Sequence, residues 1–215
     1  MTLTQDLETI TFIILASIVG LFAVYHFKQT PQMQAVSVIA PLTTAFATPT
    51  PTPAPVPIPV VNTTSWNSSD GTEELILKTT IAAQKTTYDF TLTNTNTGVS
   101  QPFFSQTLPN GDNMSIPFNA FSSDNSYVFL KEVQNNVNHF LVFKTNGTNF
   151  ANGQQYLDVT ALFTNYTTND TLSDVTGWAG PTLLVINAKA TNGATESFWF
   201  DASSSSFIPL ANVFD

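Results

Sequence analysis

From Thr48 to Val60 the chain reads TPTPTPAPVPIPV, with proline at every second position from Pro49 to Pro59. Each proline fixes its own φ near −65° and pushes the residue before it into extended backbone. No α-helix can run through such a segment, and it cannot donate regularly to a sheet. The residues on its N-terminal side must therefore fold apart from those on its C-terminal side. The segment is expected to be a semi-rigid rod, rising ~3.1 Å per residue over roughly 40 Å. Its simplest role is a spacer, and the alternative is a PxxP-type ligand for a partner domain. Pro31 and Pro41 break the stretch before it, so residues 29–61 are taken together as a Pro/Thr-rich extended linker.

Upstream, residues 10–27 read ITFIILASIVGLFAVYHF, with no formally charged side chain. As a helix at ~1.5 Å per residue this run spans about 27 Å, close to the hydrocarbon thickness of a bilayer. It is apolar on all faces, which disfavours a soluble amphipathic helix. The expectation is a single-pass transmembrane helix within residues 1–28, with the membrane lipid bilayer as its partner. The alternative is a cleaved signal peptide: Ala45-Phe46-Ala47 has the small-x-small form of a cleavage site, but it lies far beyond the run, and no positively charged side chain precedes the run. A pilin-like reading draws on Glu8, yet no Gly-Phe processing site precedes the run. Asp6 and Glu8 before the run and Lys28 after it vote weakly for an inside C-terminus. Against that vote stand the rod and the Asn/Thr/Ser-rich surface chemistry of residues 62–215, so the expected location is the cell membrane with the head outside.

From residue 62 to 215 the pattern changes to period two. Residues 75–80, 86–93, 127–132, 139–144, 183–188 and 196–201 are rich in β-branched and aromatic side chains and bounded by Asn, Gly, Ser and Asp. They predict an all-β head, with no convincing amphipathic helix. The strands recur in a fixed order. Trp66-Asn67-Ser68-Ser69-Asp70-Gly71 leads the first unit, Phe121-Ser122-Ser123-Asp124-Asn125 the second and Gly177-Trp178-Ala179-Gly180-Pro181 the third. The lead aromatics Trp66, Phe121 and Trp178 stand 55 and 57 residues apart. Asp70-Gly71 and Asp124-Asn125 suit turns that need side-chain capping or positive φ.

The second unit, FSSDNSYVFLKEVQNNVNHFLVFKTNGTNF, resembles a TolB-type β-propeller repeat. That family's unit runs from an aromatic-Ser-Pro-Asp-Gly start through a buried strand, a polar hairpin and a second strand to an Asp-Gly turn. Here Ser69 and Ser123 stand where Pro is usual, Asn125 replaces a Gly, and the third unit lacks the Asp. The resemblance implies three propeller-like antiparallel β units, each lead aromatic packing on a neighbouring sheet. Propellers close with about four to eight blades. Three units therefore imply an open arc, a two-layer β-sandwich, or chains that combine.

Six Lys, no Arg and fifteen Asp plus Glu make a nucleic-acid partner improbable, because phosphate binding needs clustered cations. There is no cysteine, so no disulfide or thiolate chemistry. His26 sits at the end of the apolar run and His139 opens a strand; no Ser-His-Asp arrangement, HExxH or P-loop accompanies them. Glu73 and Glu74 are adjacent and so face opposite ways on a strand. Residues 110–113 and 69–71 carry oxygens suited to calcium but lack the spacing of a dedicated loop. No metal, cofactor or enzymatic activity is expected. Asn62, Asn67, Asn113, Asn146, Asn165 and Asn169 head Asn-x-Ser/Thr sequons, which matter if the head is exported by a glycosylating host. Phe198-Trp199-Phe200 must place one ring opposite the other two, giving a candidate protein- or glycan-binding platform; the alternative is burial on both faces between sheets. The chain is thus expected to be a membrane-tethered, non-enzymatic extracytoplasmic binding or interaction module. A carboxylate-dependent glycan hydrolase and a structural subunit of a surface filament are the alternatives.

Overall fold

The computed structural model describes residues 58–211. The expected transmembrane helix over residues 10–27 and most of the Pro-rich rod lie outside them. Among the described residues no helix is long and apolar enough to cross a membrane.

The head is all-β apart from one short helix. Sheet 1 contains β1 (Val60–Asn67), β2 (Glu73–Ala82), β3 (Lys85–Asn94) and β4 (Val99–Pro109). Sheet 2 contains β5 (Asn113–Ser115), β6 (Tyr127–Gln134), β7 (Val137–Lys144) and β8 (Tyr156–Asp158). Helix α1 (Val159–Tyr166) leads to sheet 3, with β9 (Asp170–Trp178), β10 (Leu183–Ala190), β11 (Thr195–Asp201) and β12 (Ser206–Pro209). Each sheet is a four-stranded antiparallel meander in sequence order, without Greek-key links. β1 begins at Val60, two residues before the boundary read from the sequence, because Val60 and Val61 already pair with Ile81 and Thr80.

Two apolar clusters hold the three sheets face to face. One joins Leu75, Leu77, Phe90 and Phe103 of sheet 1 to Val128, Leu130, Leu141 and Phe143 of sheet 2. The other joins Phe129, Phe140 and Val142 of sheet 2 to Leu184, Ile186, Phe198 and Phe200 of sheet 3. Sheet 2 is therefore the middle layer. Alternation along β6 and β7 sends Val128, Leu130, Leu141 and Phe143 one way and Phe129, Phe140 and Val142 the other. That explains the uninterrupted apolar run Phe140-Leu141-Val142-Phe143, which reads as a strand buried on both faces.

Helix α1 is an element the sequence pattern did not predict. Its N-cap is Asp158, whose carboxylate accepts from the Ala161 amide at 3.0 Å. Val159 and Phe163, one turn apart, are its buried residues. The Phe163 ring meets Phe198 and Phe207 edge-on at centroid distances of 5.1 and 5.3 Å, closing the end of the second cluster. Eight residues form too short a stretch for an apolar stripe to stand out from a strand pattern.

Candidate functional site

The turns that lead β2 and β6 are built alike. Ser68 Oγ donates to Asp70 Oδ1 at 2.7 Å, and the Glu73 amide donates back to Ser68 Oγ at 3.0 Å. In the second copy Ser122 Oγ donates to Asp124 Oδ1 at 2.8 Å, and the Tyr127 amide donates to Ser122 Oγ at 3.0 Å. Gly71 and Asn125 occupy the same left-handed position, at φ 71° and 58°. The Asn125 amide then reaches across from sheet 2 and donates to Asp70 Oδ1 at 2.9 Å. That bond, followed by those from Ser68 and the Thr72 amide, holds the Asp70 carboxyl far below the usual aspartate range. Burial raises the Asp124 carboxyl, but bonds from Ser126 and Ser122 outweigh it and leave it lowered. These aspartates serve the turns, and among the described residues no group of three or more acidic or histidine side chains is placed to hold a metal.

The turn register places Asn67, not Trp66, opposite Phe121, since Ser68 matches Ser122. The lead aromatics accordingly have different surroundings. Phe121 packs against the cluster between sheets 1 and 2. Trp178 packs between sheets 2 and 3, stacked on Tyr127 at 5.8 Å, with its indole N–H donating to the Ala120 carbonyl at 2.8 Å. Trp66, at the end of edge strand β1, is 40% exposed.

Trp66 and Phe121 nevertheless meet, with Phe118, along a surface groove of about 300 Å³. Phe118 stands between β5 and β6 and is 79% exposed. Asn67, Ser69 and Asn119 complete the polar wall, and no lining side chain carries a charge. Exposed rings beside uncharged hydrogen-bonding groups suit a neutral ligand with flat apolar faces and free acceptors. Phe118 was not legible in the sequence: it lies in Ile116-Pro117-Phe118-Asn119-Ala120-Phe121, where no local signal separates an exposed ring from its buried apolar neighbours. A larger groove of about 550 Å³ runs past Phe103, Phe104 and Gln155. Its rings already pack on Phe143 and Tyr156 at 4.9–5.9 Å, so they belong to the core.

The aromatic triplet divides as alternation requires. Phe198 and Phe200 are 4% and 0% exposed in the cluster between sheets 2 and 3, and are corrected from ligand-binding side chains to core residues. Trp199 lies on the opposite face of sheet 3 and is half-buried. All six sequon asparagines are exposed.

One titratable cluster was not legible in the sequence. His139 Nδ1 lies 2.9 Å from Asp158 Oδ2, and His139 is directly opposite Glu132 across β6 and β7. Glu132 is 7% exposed and accepts from Gln106 Nε2 of sheet 1 at 2.8 Å. Burial raises its carboxyl above the usual glutamate range, against the pull of His139 and the Gln106 bond. A carboxyl with a raised folded value binds its proton more tightly folded than unfolded. Stability should fall as pH rises through the ordinary glutamate value, and the penalty should be complete above the folded one. Glu132→Gln is therefore expected to raise the melting midpoint at pH 7, with the gain vanishing by pH 3, as a pH series of thermal melts will read.

No family model, characterised protein or solved structure matches the chain.

Proposed function

We propose that this chain is a membrane-tethered, extracytoplasmic binding module. On this reading residues 10–27 cross the bilayer, the Pro-rich rod sets a standoff distance, and the head presents the Trp66–Phe118 groove. The single observation that carries the reading is that groove: two exposed rings in an uncharged concavity on the three-sheet head. Four-stranded meanders stacked face to face are the way a TolB-type propeller assembles blades, and we read the head as a three-blade arc of that kind. An arc of fixed sheets supports a binding function because its grooves are preorganised by the layers beneath.

Two experiments test the parts separately. Protease added to intact cells is expected to remove the head while sparing the residues before the rod; a protected head would refute the orientation. Intrinsic tryptophan fluorescence of the full chain, titrated with neutral oligosaccharides and with proline-rich peptides, is expected to give a saturable change. Trp66→Ala should weaken that binding at least about tenfold, the behaviour of a central aromatic anchor. Saturable binding that Trp66→Ala leaves unchanged would move the site elsewhere on the head, and a flat response to the whole panel would sink the reading.

A further inference from the structure

The head displays an uncharged aromatic groove, and the same chain carries an uncharged polyproline segment ahead of the described residues. Residues 48–57, TPTPTPAPVP, contain no ionisable side chain. We propose that the groove lined by Trp66 and Phe118 binds residues 48–57 of a second copy of this chain. The inference rests on the binding-module reading and names the ligand of that same groove.

The chemistry matches on three counts. Polyproline II backbone has no internal hydrogen bonds, so its carbonyls remain free to accept. The Asn67 and Asn119 amides and the Ser69 hydroxyl line the groove as donors of the right kind. Pyrrolidine rings are flat and apolar, and they pack on exposed aromatic faces such as Trp66 and Phe118. Finally, neither surface carries a charge to desolvate, and a segment already held extended by its prolines loses little conformational freedom on docking.

Geometry selects a second copy over the chain's own rod. The rod enters β1 at Val60, and Trp66 lies six residues along that strand. At ~3.3 Å per residue the groove is roughly 20 Å beyond the point of entry. The chain's own prolines could reach it only by reversing direction next to Pro57 and Pro59, where each residue before a proline is held in extended backbone. A neighbouring copy has no such constraint. Copies tethered to one surface would associate rod to groove, a heterologous contact that propagates from one chain to the next.

The absence of cysteine makes a proximity test direct. Full-length chains carrying Ser69→Cys, beside the groove, and Thr52→Cys, in the rod, are mixed in detergent micelles under mild oxidation. The expected result is a mixed disulfide that forms at least about tenfold faster than either homodisulfide. Adding Trp66→Ala or Phe118→Ala to the Ser69→Cys chain should abolish the preference, as should an excess of synthetic TPTPTPAPVP peptide. Thermal melts of each variant establish that the head remains folded, which the exposure of both rings favours. No preference for the mixed disulfide, or a preference indifferent to both rings and to the peptide, overturns the proposal. If neutral oligosaccharides still bind in a Trp66-dependent way while the mixed disulfide shows no preference, the rod is not the ligand and the binding-module reading survives. If neither is seen, both fall.

Discussion

Phe143→Ala is expected to lower the free energy of unfolding by about 3–5 kcal/mol, a range typical of a buried aromatic truncated in a core that cannot collapse around the gap. Phe143 is 1% exposed, and its ring centroid lies 5.3, 4.9 and 5.3 Å from those of Phe103, Phe104 and Tyr156. Those neighbours come from β4 and β8, which belong to different sheets. None can follow the missing ring without breaking a strand register fixed by pairs such as Val128 with Phe143 and Phe90 with Phe104. Guanidinium titration reads the cost directly. An unchanged slope with a lower midpoint means that the three sheets still unfold together; a shallower slope means that sheet 1 has come loose first. A loss under about 1 kcal/mol would show that the first cluster does not join the two sheets as its packing implies.

Trp178→Ala should cost a similar ~3–5 kcal/mol at the other interface, between sheets 2 and 3. Its indole stacks on Tyr127 at 5.8 Å and meets Phe129 edge-on at 6.4 Å. The hydrogen bond to the Ala120 carbonyl is the smaller part of its contribution, because that carbonyl also accepts from the Phe129 amide at 3.0 Å and is not orphaned by the substitution. Trp178→Phe keeps an aromatic ring and loses only the N–H and part of the area. It should cost about 1–1.5 kcal/mol, the usual net value of one hydrogen bond. Equal losses for the two variants, measured by the same titration, would mean that the bond rather than the stacking joins these sheets.

The sequence-legible part of the fold has a physical boundary. All six segments predicted as strands fall within β2, β3, β6, β7, β10 and β11, the two central strands of each sheet. Central strands bury at least one face along most of their length, so they alternate or run apolar. The strands at the margins do not. β1 is exposed at every position, and β5 and β8 are three residues long. Their formation depends on an open hydrogen-bonding edge already presented by a neighbour, and no local pattern records that. The turn motif at Ser68–Asp70 and Ser122–Asp124 was legible because its bonds are local. The groove was half legible: Trp66 and Phe121 were named for the turn they flank, whereas Phe118 joins them only through the way β1 approaches the connection before β6. Glu132, His139 and Asp158 were illegible for the same reason, since β6, β7 and the cap of α1 bring them together across 26 residues of sequence.

The order of the meanders also sets a timetable for the chain as it is made. Every strand pairs only with a neighbour in sequence, so each sheet closes through local connections at small entropic cost. The contacts that span long separations are the face-to-face ones. Sheet 1 completes its hydrogen bonding at Pro109, yet Leu75, Leu77 and Phe90 have nothing to lie against until β6 and β7 have emerged, at Lys144. At typical synthesis rates of ~5–20 residues per second that interval lasts on the order of a few seconds. Throughout it a finished sheet shows water its greasiest side, together with the long bare margin of β1. The hazard of misassembly therefore falls on the first sheet rather than the last, and slow codons between residues 110 and 144 would lengthen it.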